Sequence, residues 1–428
     1  MSRRLPEAAA AAAWRGIGGV ATLFARLLLA AGREPGRDDL RERLVLEGVP
    51  LPPGSGPLAW FHGASVGEVA ALHPLVEELH SRRPDLRVLV TAQTRTGRER
   101  ARGPGRVARL APLDATGPLG RFLAAVRPAL HVIVETEIWP RRLALLAEAG
   151  IPAALVSARL APEREAHYRR LRSVYGPALA RFRLVAPGSD ADRERLRRLG
   201  VPGDRLGPTG NLKWDAVPLP GAGAEDRARD LLRDLGLDPG RPLVVLASVH
   251  PGEAAPVLAS LAAGPGDPAW QAVVAPRHPE RFDRVAGELA AAGFPPHRAS
   301  RGPAPAGTRV VLLDRMGVLR DLFPAARGAF LGGTLVPVGG HSPLEAAAAG
   351  CPVVAGPRVH HQEDLVRVLE EAGALVRVPD GGEAGRALAR WLADGGARET
   401  AGRAARRAVA ERRGVAARLA NLLLEWLP

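Results

Sequence analysis

Short runs of β-branched and aliphatic residues recur along the chain, separated by stretches long enough for one helix each. In the first half these runs are 57–62, 87–91, 130–135, 153–157 and 183–187. In the second half they are 242–248, 271–276, 309–314, 328–332, 352–356 and 374–378. Buried strands that alternate with helices form parallel sheets with helices on both faces. The sequence therefore predicts an α/β protein with two doubly wound domains in tandem and a ligand cleft at the carboxyl ends of their strands.

The length of 428 residues fits two or three domains. The join is expected near residues 208–224, a segment rich in proline and glycine. The single cysteine, Cys351, excludes a disulfide framework and fits a reducing compartment.

The net charge of +14 comes almost entirely from arginine, and Lys213 is the only lysine. The high alanine, glycine and proline content indicates a GC-rich coding bias, so the arginine count by itself says little about nucleic acid. The excess of positive charge still suits an anionic partner. Lys213 lies in the polar turn TGNLKWD. Either this lysine is present by chance despite the coding bias, or it contacts a phosphate or carboxylate. In such a contact an arginine is not equivalent to a lysine.

The N-terminal segment, residues 1–35, is apolar but interrupted by arginines and glycines. Its longest uninterrupted apolar stretch, residues 16–25, is too short to span a bilayer. With Arg3, Arg4, Arg15 and Arg26 nearby, it fits a helix lying in the interface of an anionic membrane. A helix packed on the first domain fits the same pattern. The C-terminal stretch 401–427 is strongly helical and suits core packing.

Residues 332–357 read as the end of a strand, a glycine-rich loop, a helix and a second strand. Ser342, Pro343 and Glu345 have the spacing of a capping box with proline at the first helical position, and Gly350 is a helix stop. Such a loop offers free backbone N–H groups and a positive helix end to an anion. The alternative is an ordinary βαβ unit with well-formed caps.

The first predicted strand leads into FHGASVGEV, residues 61–69. Ser65 and Glu68 also match a capping box, so Glu68 either holds the helix start or serves as a general base at the end of the strand. Glu135 and Glu137 end another apolar run. Two residues apart on a strand, they would point to one side, and we expect at least one to enter the cleft or a buried network.

Taken together, the motifs resemble one known family in order and spacing. They are FHGASVGEV, VETEIWP, VSAR, PGSDADRERLRRLG, TGNLKWD, ASVHPGE, APRHPER, DRMGVL, LGGTLVPVGGHSPLEAAAAGCPVVAGP and HHQED. This set is similar to the bacterial 3-deoxy-D-manno-octulosonic acid (Kdo) transferases, over about residues 35 to 425. The resemblance implies the GT-B glycosyltransferase fold, with two Rossmann-like domains that face a cleft.

The resemblance also implies an inverting transfer of Kdo from CMP-Kdo to the lipid A precursor, lipid IVA, in lipopolysaccharide biosynthesis. Glu68 matches the catalytic base of the family, with Glu135 and Glu137 as further candidate carboxylates. The implied donor-binding residues are Lys213, Pro276, Arg277, Met316, Gly317, Val318, Ser342, Pro343, Leu344 and Glu345.

Two positions depart from the usual family pattern. Val318 stands where the family has a glutamate, so this chain lacks a carboxylate near the implied nucleotide site. Ser342 replaces an asparagine, and this exchanges one good cap for another.

No metal or other cofactor is expected. A CMP-sugar carries one phosphodiester, so a helix dipole and one or two cations can stabilise its leaving group. His360 and His361 invite a metal interpretation, but no carboxylate–histidine spacing supports one.

The expected domains are a membrane-interface helix (1–35), an acceptor-binding domain (36–210), a CMP-Kdo-binding domain (211–400) and a C-terminal helix packing back across the domains (401–428). The expected location is the cytoplasmic face of the bacterial inner membrane. The expected partners are CMP-Kdo, the lipid A precursor and an anionic membrane surface, without nucleic acid.

Two other classes of function remain. One is a GT-B enzyme that uses a UDP-sugar, as a transferase or epimerase. The other is a non-catalytic basic protein that binds membrane or nucleic acid. The latter is disfavoured because the chain has two tyrosines, no recognition-helix signature and no aromatic stacking platform.

Overall fold

A computed structural model describes residues 7–30, 36–264 and 269–428. The chain forms two compact units. The first unit runs to Ala216 and also includes Arg412–Pro428, and the second unit is Val217–Glu411. The change of unit after Ala216 falls within the proline- and glycine-rich segment 208–224.

The first unit contains a six-stranded parallel sheet with the order β3-β2-β1-β4-β5-β6. Its strands are β1 Leu58–Gly63, β2 Arg87–Ala92, β3 Arg106–Leu110, β4 Leu130–Val134, β5 Ala153–Ala158 and β6 Leu184–Pro187. The strand order reverses between β1 and β4, and loops that leave the carboxyl ends of such neighbours diverge to opposite faces and open a crevice.

Helices cover both faces of this sheet, and each face has its own apolar core. The helices up to Ala216 are α1 Glu7–Ala30, α2 Arg37–Leu44, α3 Val66–Arg82, α4 Arg95–Ala101, α5 Thr116–Val126, α6 Pro140–Glu148, α7 Pro162–Arg170, α8 Arg172–Leu179, α9 Asp190–Leu199 and α10 Lys213–Ala216. One core packs α3 against the sheet, and the other packs α5, α6 and α8.

The second unit contains a seven-stranded parallel sheet with the order β13-β12-β11-β7-β8-β10-β9. Its strands are β7 Leu243–Val249, β8 Gln271–Pro276, β9 His297–Arg298, β10 Val310–Leu312, β11 Ala326–Leu331, β12 Val353–Ala355 and β13 Leu375–Arg377. Here the order reverses between β7 and β11. The two units therefore repeat one plan, as the alternating pattern predicts.

The remaining helices are α11 Ala224–Asp234, α12 Ala254–Ala263, α13 Phe282–Ala291, α14 Leu344–Ala349, α15 Glu363–Glu371, α16 Gly381–Ala393, α17 Gly395–Arg412 and α18 Val415–Leu424. Short 3₁₀ turns occupy Gly203–Arg205, Pro279–Arg281, Ala299–Arg301 and Leu319–Ala325. In the second unit α12, α13 and α16 pack on one face of the sheet.

The C-terminal stretch forms two helices rather than one. Gly414 lies between them in the left-handed region, with φ 82°. The carboxylate of Asp215 accepts hydrogen bonds from the N–H groups of Gly414 and Ala416, both at 2.7 Å. Asp215 thereby caps α18, whose apolar side joins the same core as α3 in the first unit.

The N-terminal helix α1 packs one side on the first unit. Trp14 donates through Nε1 to Asp114 at 2.9 Å and meets the ring of Tyr175. Ala25 is buried, whereas large apolar side chains on other positions of α1 are exposed. Arg3, Arg4 and the side chain of Arg26 lie outside the described residues. None of the helices in the described ranges is long and apolar enough to cross a membrane.

Candidate active site

The first candidate site lies at the switch point of the first sheet. The loop after β1 leads to Glu68 in the first turn of α3, and the segment after β4 begins with Glu135. Because β1 and β4 are neighbouring parallel strands, their carboxyl ends bring these carboxylates to one edge of the sheet. The sequence predicted both groups at strand ends.

Glu68 and Ser65 hold the start of α3 reciprocally. Ser65 is the N-cap, and its hydroxyl accepts from the N–H of Glu68 at 3.3 Å. The carboxylate of Glu68 accepts from the N–H of Ala64 at 2.6 Å, one residue before the N-cap itself. The capping arrangement predicted from the sequence is thus present in a shifted form, and it aims the carboxylate back over the end of β1.

The pKa of Glu68 is raised from 4.5 to about 7. Burial is the largest cause, and the charges of Glu135 and Glu137 add to it. The N–H of Ala64 and the ammonium of Lys213 oppose the shift. A carboxyl group poised near neutral pH can take a proton from a substrate hydroxyl, so the structure combines a capping geometry with the electrostatics of a base.

Glu135 and Lys213 form an ion pair, with Oε1 and Nζ 2.6 Å apart and both side chains less than one-fifth exposed. Glu135 adopts φ 62°, which is strained for a residue with a β-carbon. This left-handed turn ends the strand alternation, so Glu135 and Glu137 do not share one side as the sequence argument expected. Lys213 lies in the first unit, although the sequence grouped it with the donor-binding residues.

The turn that carries Lys213 is fixed by two polar side chains to which the sequence analysis gave no role. The hydroxyl of Ser157 accepts from the N–H of Leu212 at 2.9 Å, and the amide oxygen of Asn211 accepts from the N–H of Lys213 at 3.0 Å. Ser157 itself has φ 49° at the end of β5. Such strain next to a candidate site is typical of a group held for function, and both residues stand in motifs that carry the resemblance.

Glu137 enters a separate buried network. Its Oε2 accepts from Nε1 of Trp139 at 2.8 Å and lies 3.4 Å from Nε2 of His62. Burial favours the neutral carboxyl group, but these contacts and the charge of Arg142 outweigh it and lower the pKa of Glu137. Glu137 therefore stays ionised and supports the site through its charge rather than as a proton acceptor.

In the second unit the loops after β7 and β11 meet at the switch point. The carboxylate of Glu253 is fully buried and accepts from the N–H groups of His250, Gly333, Thr334 and Leu335 at 2.8–3.1 Å. The prediction that the loop offers free N–H groups to an anion is wrong for these positions, because an internal carboxylate already occupies them. The sequence gave Glu253 no role.

Glycines are required where this loop passes β7. A β-carbon on Gly332 would lie 2.3 Å from the carbonyl oxygen of Ser248, and Gly333 has φ +71°. The dense glycines seen in the sequence thus serve close backbone approach.

The helix after the loop differs from its prediction. It begins at Leu344, with Pro343 at the N-cap, and it has six residues. Ser342 accepts from the N–H of Leu344 at 3.4 Å instead of forming a capping box with Glu345. The tight loop sets the backbone at Pro343 in a helical conformation (φ −81°, ψ −5°), so no extended cap residue is available. Gly350 ends the helix with φ 75°, as predicted.

Glu345 borders two recesses. The larger one, with a cavity volume of about 160 Å³, is also lined by Pro218, Arg227, Arg320 and Asp321. The smaller one, of about 30 Å³, is lined by Ser248, Leu319, Phe323, Ser342 and Pro343, among others. Glu345 is partly exposed, yet desolvation by the surrounding protein raises its pKa.

The other predicted donor-site residues occupy nearby loops of the second unit. Pro276 ends β8 and Arg277 follows it, with its N–H donating to Val249 O at 3.0 Å. Met316 is 65% exposed, Gly317 has φ 90°, and Val318 precedes the 3₁₀ turn that lines the smaller recess. Within the described ranges, no group of three or more His, Cys, Asp or Glu could hold a metal ion.

Solved structures of sugar-nucleotide enzymes share this architecture. A glycosyltransferase from Rickettsia africae matches with a TM-score of 0.58 at 9% identity, over 87% of this chain and 98% of that chain. The UDP-GlcNAc 2-epimerase from Neisseria meningitidis, bound to UDP-GlcNAc, matches with a TM-score of 0.57 at 13% identity, over 86% and 98%. At these identities the likeness shows the fold, which is GT-B, and this confirms the predicted fold class.

The family described as 3-deoxy-D-manno-octulosonic-acid transferase (kdotransferase) matches residues 38–216. The 3-deoxy-D-manno-octulosonic acid transferase of Haemophilus influenzae is 34% identical over 401 residues, 91% of this chain and 92% of that protein. The enzyme of the same name from Bordetella pertussis is 35% identical over 382 residues, 86% and 87%. The chain therefore belongs to the Kdo transferase family and is a glycosyltransferase.

Proposed function

We propose that this protein transfers Kdo from CMP-Kdo to a sugar hydroxyl of the lipid A precursor, with inversion at the anomeric carbon, in lipopolysaccharide biosynthesis. Family membership supports Kdo as the transferred sugar. The observation that carries the mechanism is the carboxyl group of Glu68, whose pKa of about 7 suits a general base.

In this mechanism the oxygen of the acceptor hydroxyl bonds to the anomeric carbon of Kdo, and Glu68 takes the proton of that hydroxyl. The bond from that carbon to the CMP phosphate oxygen breaks, and CMP leaves on the opposite face. Burial and the charges of Glu135 and Glu137 keep the pKa of Glu68 high, and Lys213 limits that increase. Glu68 therefore remains partly ionised at neutral pH and basic enough to accept the proton.

The donor is proposed to bind the second unit. Glu345 borders both recesses and can accept hydrogen bonds from ribose hydroxyls. Arg277, with Arg227 and Arg320 beside the larger recess, supplies positive charge for the phosphate and the Kdo carboxylate. Cations from the protein can stabilise a leaving group with a single phosphodiester, and no metal step is proposed.

We further propose that α1 lies on an anionic membrane, at the cytoplasmic face of the bacterial inner membrane. Five large apolar side chains of α1 are 58–69% exposed to solvent, namely Ile17, Val20, Leu23, Phe24 and Leu27. Positions three, four and seven apart share one side of a helix, which suits insertion into the headgroup region beside a glycolipid acceptor.

The test is to incubate the purified protein with CMP-Kdo and the lipid A precursor and to read product masses. The proposal predicts added Kdo units and release of CMP. Transfer from a UDP-sugar, without transfer from CMP-Kdo, would replace this proposal by the UDP-dependent alternative. A protein that binds anionic vesicles but releases no CMP would be a binding protein only.

A further inference from the structure

Three side chains from three loops form a continuous chain of contacts at the switch point of the second sheet. Arg281 follows β8, His250 follows β7, and His341 stands in the loop before α14. A terminal nitrogen of Arg281 contacts Nδ1 of His250. Nε2 of His250 lies 3.0 Å from Nε2 of His341, and the two rings are 5° from parallel with centroids 5.3 Å apart. The rings therefore meet edge to edge, as an N–H···N hydrogen bond requires.

The chemistry of the three groups fixes where the protons lie. A guanidinium group has only N–H donors and stays charged, so Nδ1 of His250 accepts from Arg281. The proton of His250 is then on Nε2 and is donated to Nε2 of His341. His341 must carry its own proton on Nδ1, the tautomer that a free imidazole populates less.

Both imidazoles are neutral in this arrangement. Burial lowers the pKa of His250 to about 4, aided by the charge of Arg281. Burial likewise lowers the pKa of His341 to about 4, aided by Arg277. A proton on both rings would also place two N–H groups against each other at the 3.0 Å contact.

The surroundings of His341 are basic. Arg277, His278 and His361 act on it electrostatically, and the buried carboxylate of Glu253 is already engaged by loop N–H groups. Among the described residues, Nδ1 of His341 has no hydrogen-bond partner. A half-buried N–H donor that is surrounded by basic groups is suited to bind an anion.

We propose that Nδ1–H of His341 donates to the phosphate of the sugar nucleotide, and that His250 and Arg281 are positioning residues that hold His341 in this tautomer. The inference rests on the proposed function. His341 directly precedes Ser342 and Pro343, which line a recess with Glu345. If Glu345 holds the ribose, the phosphate attached to that ribose falls beside His341.

The first experiment measures binding of CMP and cytidine by calorimetry. In His341→Gln, which keeps a group at the Nε2 position but none at Nδ1, affinity for CMP should fall by at least about tenfold, the size expected for a hydrogen bond to a charged group. Affinity for cytidine, which lacks the phosphate, should not change. His341→Asn, which can donate near the Nδ1 position, should keep most of the CMP affinity. His297→Gln is the matched control, because the side chain of His297 contacts Gly302 O through Nε2 and lies outside the proposed chain of contacts.

The second experiment reads the tautomers by NMR of ¹⁵N-histidine-labelled protein without ligand. The His341 signal should show a proton on Nδ1, and His250 a proton on Nε2. Arg281→Met should mix these tautomers and raise the KM for CMP-Kdo more than it lowers kcat. Arg281→Lys, which still donates, should restore the wild-type signals. Arg284→Met is the control, since Arg284 pairs with Glu288 at the surface.

A His341 proton on Nε2 in the wild-type protein overturns the inference, as does equal CMP affinity in wild type and His341→Gln. The proposed function fails differently. A wild-type protein that binds CMP as described but transfers no Kdo contradicts the function and leaves the inference in place. A protein that transfers Kdo, with CMP binding indifferent to His341→Gln, contradicts the inference alone.

Discussion

The ammonium of Lys213 lies 2.6 Å from a carboxylate oxygen of Glu135, and both groups act on the carboxyl group of Glu68. Burial is the largest cause of the raised pKa of Glu68, the charge of Glu135 raises that pKa further, and Lys213 lowers it. The only lysine of the chain is therefore placed to offset the carboxylates of the site, where a compact ammonium group and an arginine guanidinium are not equivalent.

Glu135→Gln should move the acid limb of the pH–rate profile to lower pH. The substitution removes a charge that raises the pKa of Glu68 and leaves the opposing charge of Lys213 without its partner, so both effects have the same sign. The measurement is kcat/KM for Kdo transfer between pH 5 and 9. The exposed Glu163→Gln serves as control and should leave the limb in place. An unshifted limb in Glu135→Gln would show that Glu135 does not act on the base.

Glu253→Gln should destabilise the second unit and weaken CMP binding. A carboxylate can accept from every N–H group around it, whereas an amide offers one oxygen and turns its NH₂ group toward other donors. Each buried N–H left without a partner costs about 1–3 kcal/mol, so the free energy of unfolding should fall by at least ~2 kcal/mol.

Urea unfolding and CMP calorimetry check this prediction. The exposed Glu280→Gln, in the neighbouring turn, is the control and should be close to wild type. Wild-type stability in Glu253→Gln would mean that the glycine-rich loop does not depend on its internal carboxylate.

The double variant Val20→Asn/Phe24→Asn should bind anionic vesicles about 100-fold more weakly or worse. Both side chains are exposed, and withdrawing each from a membrane costs about 1.5–3 kcal/mol. The melting temperature should stay near wild type, because neither side chain is in the core. Vesicle co-sedimentation measures the effect, with Leu51→Asn, an exposed leucine outside α1, as control. Undiminished vesicle binding by the double variant would show that α1 does not bind the membrane.

Glu68 should cost stability at neutral pH. The pKa of this carboxyl group is about 7 in the folded protein against an ordinary value of 4.5, so the folded state holds the proton more tightly. The resulting stabilisation is complete below about pH 4.5 and is lost as pH rises through about 7.

Glutamine cannot titrate, so the melting temperature of Glu68→Gln minus that of wild type should increase from pH 5 to pH 8. Calorimetric scans across this range measure the difference between the two melting temperatures. A constant difference for Glu68→Gln would place the folded-state pKa near its ordinary value.

The sequence predicted the sheets well because buried parallel strands are continuous apolar runs, and every predicted run overlaps a strand. It missed β3, where RVARL alternates arginine with apolar residues at a sheet edge, and β9, which has two residues. Edge strands need not be apolar on both faces, so the run of apolar residues that marks a central strand is absent.

The candidate site was predictable where the sequence pattern that marks a residue lies within a single loop. Glu68 follows a strand end with a capping spacing, and the structure keeps both features. The pairing of Glu135 with Lys213 and the clamp of Glu253 on the glycine-rich loop depend on strand order, which brings distant loops together. A carboxylate directly after a strand at a switch point, as in HPGE after β7, is the signal that could have singled out Glu253.

The most direct test of the account compares Kdo transfer by wild type and Glu68→Gln. Glutamine can still accept from the N–H of Ala64, so the start of α3 and CMP binding should persist. It cannot accept the proton of the acceptor hydroxyl, so turnover should fall by about 100-fold or more. Ser65→Ala should do the reverse, losing on the order of 1 kcal/mol of stability while keeping most activity. Near-normal turnover in a folded, CMP-binding Glu68→Gln enzyme would contradict the account and assign Glu68 to structure alone.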